Sequence, residues 1–126
     1  MRFRNPLANA RNHGAAGGGV EHWWAQRFSA LVMLVLAVWV VYALVSVVGA
    51  SHAEAAGFLA QPFNAALAIL FIATALYHSR LGLQVVVEDY IHHRGLELVL
   101  LIMIKVAALV GGVLAVVAIL NIAFGA

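Results

Sequence analysis

Three long stretches of this chain carry almost no charge, and that pattern leaves few folds open. The first runs from Phe28 to about Gly49, the second from about Asn64 to about Glu88, the third from about Leu96 to Phe124. Each reaches the length of about 20 residues that an α-helix needs to cross a roughly 30 Å hydrocarbon core. Inside that core each backbone N–H and C=O must be satisfied without water, and a helix does this within its own segment. Composition agrees: 65% of the residues are hydrophobic and 10% charged, against about half and about a quarter in a soluble domain. The predicted fold is all-α. It is one integral membrane domain over residues 1–126, with transmembrane helices at about 28–49, 64–88 and 96–124.

The flanks set the expected orientation. Residues 1 to about 20 form a polar arm with Arg2, Arg4 and Arg11 and a glycine run. No apolar core follows those arginines before the glycines, so the arm does not read as a signal peptide. It reads as a basic surface segment. The connection at 50–63 has no lysine or arginine, whereas Arg94 sits in the second connection. The positive-inside rule then places the N-terminus in the cytoplasm and the C-terminus in the periplasm. The 50–63 segment reads as a solvated loop; His52 and Glu54 within it make only a weak metal pair. The absence of cysteine excludes disulfides and thiolate metal sites within this chain. A net charge of +2 is too small to suggest a nucleic-acid partner. There is no nucleotide-binding glycine motif and no nucleophile with a base, so the chain carries no complete active site of its own. With no transit peptide, a bacterial inner membrane is the expected location.

Two polar clusters remain, and this orientation brings both to the cytoplasmic face. One is Glu21-His22-Trp23-Trp24-Ala25-Gln26-Arg27-Phe28-Ser29. Paired tryptophans are interface anchors and Arg27 sits where the hydrocarbon begins. This block is either a plain aromatic belt or an inward-facing patch in which His22, Arg27 and Ser29 bind an anionic or carbonyl-bearing group. The other is His78-Ser-Arg-Leu-Gly82-Leu-Gln-Val-Val-Val-Glu88-Asp89-Tyr90. His78 lies among aliphatic residues. Asp89 follows on nearly the same helix face, about 16 Å along the axis. An ionisable residue inside a membrane span is a functional candidate because burying it without a partner is expensive. Imidazole suits an axial haem ligand; packing against a neighbouring helix is the competing reading. A tyrosine hydroxyl such as that of Tyr90 can donate to a quinone carbonyl, and the competing reading is an interfacial anchor. Residues alone leave both pairs open. They also assign no role to Arg80, Lys105, His92, His93 or Ser29.

The spacing His78-x3-Gly82-x6-Asp89-Tyr90 resembles the signature of the smaller membrane-anchor subunit of succinate dehydrogenase, respiratory complex II. The His22-Trp-Trp-x-Gln-Arg27-x-Ser29-Ala block resembles the N-terminal motif of its bacterial members. The resemblance extends over essentially the whole chain. It implies an anchor that, paired with a larger cytochrome b anchor subunit in a heterodimeric helix bundle, holds haem b and helps form the ubiquinone site. An iron–sulfur subunit and a flavoprotein subunit would complete the complex. His78 would be the axial ligand from this chain, Tyr90 with Asp89 would meet the quinone, and Arg27 and His22 would lie near the haem propionates or the quinone. Two rivals stand beside it: a fumarate reductase anchor using menaquinol, and a purely structural anchor without haem.

Overall fold

The computed structural model describes residues 19–125. These form four α-helices, α1 (Gly19–Ser46), α2 (His52–Ala60), α3 (Pro62–Tyr90) and α4 (Arg94–Phe124), and no strand. The basic arm lies outside the described residues except for its last two positions, which begin α1. Helices α1, α3 and α4 are long and apolar enough to cross a membrane. Each begins ahead of its predicted apolar stretch; α1 takes in Glu21, His22 and both adjacent tryptophans and ends at Ser46, short of the predicted Gly49.

Helix α3 is the centre of the arrangement. It packs against α1 on one flank and α4 on the other, and α1 and α4 do not touch. The three long helices therefore stand in a row. A row encloses little, and the buried apolar side chains are Leu36, Ala65, Leu81, Val87 and Ile119. Helices apolar all round with so few buried positions need lipid or other chains against them. Of the paired glycines on α4, Gly112 is the one at a contact: a Cβ there would stand 3.4 Å from Leu76 Cδ1, whereas Gly111 faces open space.

The segment expected as a loop contains a helix. Gly49, at φ 75°, turns the chain after α1. Ser51 then caps α2. The Glu54 N–H donates to Ser51 Oγ at 3.3 Å, and the Ser51 N–H donates to Glu54 Oε2 at 2.7 Å. Such a reciprocal box satisfies two otherwise free donors at a helix start. The Ser51 backbone N–H, and then its hydroxyl, hold the Glu54 carboxyl below the usual carboxylate range. Glu54 is thus committed to the cap and not to a metal pair with His52. Pro62 opens α3 in the first turn, where a missing N–H costs nothing.

Buried Asn64 ties three helices together at this end. Its Nδ2 donates to the Phe58 carbonyl at 2.9 Å and to Gln61 Oε1 at 3.3 Å. Its Oδ1 accepts from Trp39 Nε1 at 3.3 Å. Trp39, inside the first apolar stretch, is thus a hydrogen-bond donor. Asn64→Ala strands the Phe58 carbonyl and the Trp39 N–H, at about 1–3 kcal/mol for groups left unsatisfied. The expected result is a lower melting temperature of the purified complex with its subunit composition intact. An unchanged melting curve would mean that these bonds contribute nothing to stability. At the opposite end His93 caps α4, its Nδ1 accepting from the Leu96 N–H at 3.2 Å.

Candidate functional site

Residues spaced i, i+4, i+7 share one face of a helix. On α1 this places His22, Gln26 and Ser29 together, and Ser29 and Leu36 are the residues that α1 buries. The same face meets His78 of α3. Ser29 Oγ lies 3.0 Å from His78 Nδ1. Gln26 Nε2 lies 3.3 Å from His78 Nε2. Gly82, one turn beyond His78, adjoins the glutamine: a Cβ at this position would stand 3.6 Å from Gln26 Nε2, an ordinary contact.

Ser29 donates its single hydroxyl proton to the backbone carbonyl of Gln26 at 3.1 Å. Towards His78 the hydroxyl would then accept, an arrangement that suits the tautomer with the ring proton on Nδ1 and the lone pair on Nε2. The Gln26 amide donates to that lone pair. This glutamine is incompletely satisfied, because its Oε1 is shielded and has no partner. His22 Nε2 is shielded and unpartnered as well. The site is thus an imidazole met at one nitrogen by a buried serine and at the other by an amide whose oxygen has no partner.

The structure brings some of the predicted residues together and not others. His78 meets Ser29 and Gln26, and His22 shares their face. Arg27 points elsewhere: it is exposed, with its guanidinium 5.3 Å from the centre of the Trp23 ring. Trp23 in turn packs edge-on against Trp24 at 5.0 Å. Asp89 lies on the His78 face but is exposed near the end of α3. Tyr90, the last residue of α3, is 76% exposed. Arg80 sits on the opposite face of α3 from His78, with its guanidinium 5.9 Å from the Tyr77 ring centre. Among the described residues no three His, Asp or Glu side chains converge as a metal site. The residue that sequence reasoning passed over is Gln26. Its signal was the three-residue spacing to Ser29, which puts both on the face of α1 that turns to α3.

Comparison with known proteins bears on what this site belongs to. Residues 1–120 match the model of the succinate dehydrogenase/fumarate reductase transmembrane subunit family. The succinate dehydrogenase hydrophobic membrane anchor subunit of Rickettsia bellii is 33% identical over 103 residues, 82% of either chain. That of Rickettsia conorii is 31% identical over 109 residues, 86% of either chain. The corresponding Paracoccus denitrificans subunit is 28% identical over 90 residues, 71% of this chain and 70% of its own. No solved structure matches. With a match that spans nearly the whole sequence, three long apolar helices and relatives of the same kind along most of their own length, this chain belongs to the succinate dehydrogenase/fumarate reductase transmembrane subunit family.

Proposed function

We propose that this chain is the smaller anchor of a succinate:ubiquinone oxidoreductase in a bacterial inner membrane, with its N-terminus in the cytoplasm. In that role it helps to hold haem b and to form the site where ubiquinone accepts electrons from the iron–sulfur subunit. A larger cytochrome b anchor and a flavoprotein complete the assembly. The observation that carries the reading is His78, an imidazole among apolar residues whose Nδ1–H is held by Ser29 and whose Nε2 keeps its lone pair.

The residues fit such a group. A haem iron asks the protein only for axial donors, so one histidine from each of two chains is sufficient. The Nδ1 hydrogen bond is the usual companion of a metal-binding imidazole, because it fixes tautomer and ring orientation. The Gln26 amide would have to swing off Nε2. That motion gives up one 3.3 Å hydrogen bond, and the shielded, unpartnered Oε1 makes the present position a poor one for the amide. Once bound, haem would supply a one-electron redox centre near the quinone site. His22 lies on the same face and belongs with the haem edge or the quinone. Arg27, stacked on Trp23, can reach a propionate only by leaving that ring.

Tyr90 and Asp89 would form the quinone-facing part of the site. Their exposure at the end of α3 suits residues that other subunits cover. A phenol donating to a quinone oxygen stabilises the negative charge that develops there on reduction. Tyr90→Phe is expected to lower succinate:ubiquinone turnover about 10²-fold, the scale of losing one such donor. Succinate oxidation with a soluble dye as acceptor stays unchanged, because that reaction does not use the membrane site. Equal ubiquinone rates in wild type and variant would remove Tyr90 from the quinone. The whole reading is tested by a reduced-minus-oxidised visible spectrum of the purified wild-type complex. A b-type band together with ubiquinone reduction supports it. A spectrum without haem leaves only an anchor. The family description covers fumarate reductase too. A complex that runs faster from menaquinol to fumarate than from succinate to ubiquinone would move the assignment to that enzyme.

A further inference from the structure

Two cations that the haem and quinone reading leaves unused, Arg80 and Lys105, line one groove. It lies between α3 and α4, on the far side of α3 from His78, and holds about 450 Å³. That volume falls in the range of about 300–1,000 Å³ typical of small-ligand sites. No acidic side chain lines it; beyond the two cations and Tyr77 it is walled by alanine, glycine and aliphatic residues. Arg80 Nε is shielded and has no hydrogen-bond partner. The two helices run in opposite directions, so Arg80 and Lys105 share one end of the groove. The rest extends about 12–18 Å along the helices to Ile72 and Val117.

Helix lengths give the depth of the charged end. A span of about 20 residues crosses the hydrocarbon core. Counted back from the last residue of α1, Ser46, that span begins at Arg27. From the first residue of α3, Pro62, it ends beside Arg80. From the last residue of α4, Phe124, it begins at Lys105. With those three helix ends set at the far membrane face, the count brings Arg27, Arg80 and Lys105 to about one level, near the headgroups. His78 lies within one turn of that level. The ends of α1, α3 and α4 that carry His22, Tyr90 and Arg94 project beyond it.

We propose that the α3–α4 groove is a binding site for one anionic phospholipid. Its phosphate would sit between Arg80 and Lys105 and one acyl chain would run down the aliphatic walls towards Ile72 and Val117. Charge complementarity carries the assignment. Two cations without a carboxylate call for an anion at headgroup depth, and the apolar run below them calls for a chain attached to it. Basic pockets between transmembrane helices at a membrane face bind acidic lipid headgroups in this way. An arginine adds two-point recognition of a phosphate, which lysine cannot supply.

The test uses the whole complex in nanodiscs of phosphatidylcholine with phosphatidylglycerol, then released for native mass spectrometry. Two variants separate head from tail. Arg80→Gln with Lys105→Gln removes the charge, and Ala108→Phe fills the aliphatic part while both cations stay. Each is expected to retain one phosphatidylglycerol fewer per complex than wild type, with all subunits present. An equal lipid count in wild type and either variant overturns the proposal. Loss of the larger anchor subunit from the charge variant overturns it as well, because the groove would then be a seam between subunits. Haem or quinone results do not enter the comparison, so a failure here is separate from a failure of the proposed function.

Discussion

Complex carrying His78→Ala is expected to lose the sharp low-spin b-type band from its reduced-minus-oxidised spectrum, while all subunits remain in the membrane. The substitution removes the one imidazole that α3 turns towards α1. Ser29 and Gln26 stay behind, but a hydroxyl and a neutral amide are poor ligands for haem iron beside an imidazole. Any haem that remains would be held from one side only, and its spectrum would be that of a high-spin centre. The alternative is a histidine that merely packs, using both nitrogens to bind α1. On that reading the variant costs stability and leaves the spectrum unchanged. The two readings part at the spectrum and not at the yield, since both lose the 3.0 Å and 3.3 Å contacts to α1. An unaltered haem band in the variant would remove His78 as a ligand.

The three spans were legible because a membrane imposes a length, and uncharged runs of that length have one ready explanation. The order of packing was not. Each long helix is apolar on every side, so no stripe marks which face meets which neighbour, and the row α1–α3–α4 had no signature in the chain. Helix α2 did have one. Ser51-His-Ala-Glu54 ahead of an apolar run is a capping box, and reading Glu54 as a solvated loop residue passed over it. The site was half legible. His78 stood out because an ionisable group among aliphatic residues is costly. Its partners did not, because Ser29 and Gln26 are ordinary residues that gain meaning only when α3 is laid against α1. Asn64 was hidden for the same reason: a polar residue near a span end reads as interfacial until Trp39 and Phe58 are found against it. Arg27 reads from the residues as either a belt residue or an inward-facing one, and only the family resemblance puts it near the propionates or the quinone. One further helical step turns it to the opposite side, over Trp23.

The chain's design is economical in one respect. Its three long helices use their faces separately. One face of α3 holds the imidazole against α1, another lines a groove with α4, and the end of α3 carries Asp89 and Tyr90. On the roles proposed above, haem, lipid and quinone would be engaged by one helix without competing for surface. It follows that variants on one face should leave the others readable, which is what allows a serine on α1 to be tested for its effect on a histidine of α3.

Ser29→Ala is the sharper test of the imidazole's tautomer. Alanine fills nearly the same volume and leaves the helix intact, but nothing then accepts from His78 Nδ1–H. The ring is freed to rotate and to place its proton on Nε2, where it would block a metal. Loss of such a supporting hydrogen bond typically costs about 10- to 100-fold in metal affinity. In complex prepared without haem and titrated with it, the variant should need that much more haem for half-saturation. The bond also makes the imidazole a stronger donor, which favours the ferric state. Its loss should therefore raise the reduction potential, by about 59 mV for a tenfold weakening confined to that state. The anisotropy of the ferric electron paramagnetic resonance signal should change with it. Ser29→Thr keeps the hydroxyl and is expected to restore all three. A serine that serves only packing would lower the yield of complex and leave potential and anisotropy where they were. A Ser29→Ala complex with wild-type potential, and with His78→Ala still abolishing the band, would keep the ligand and discard the role of the serine.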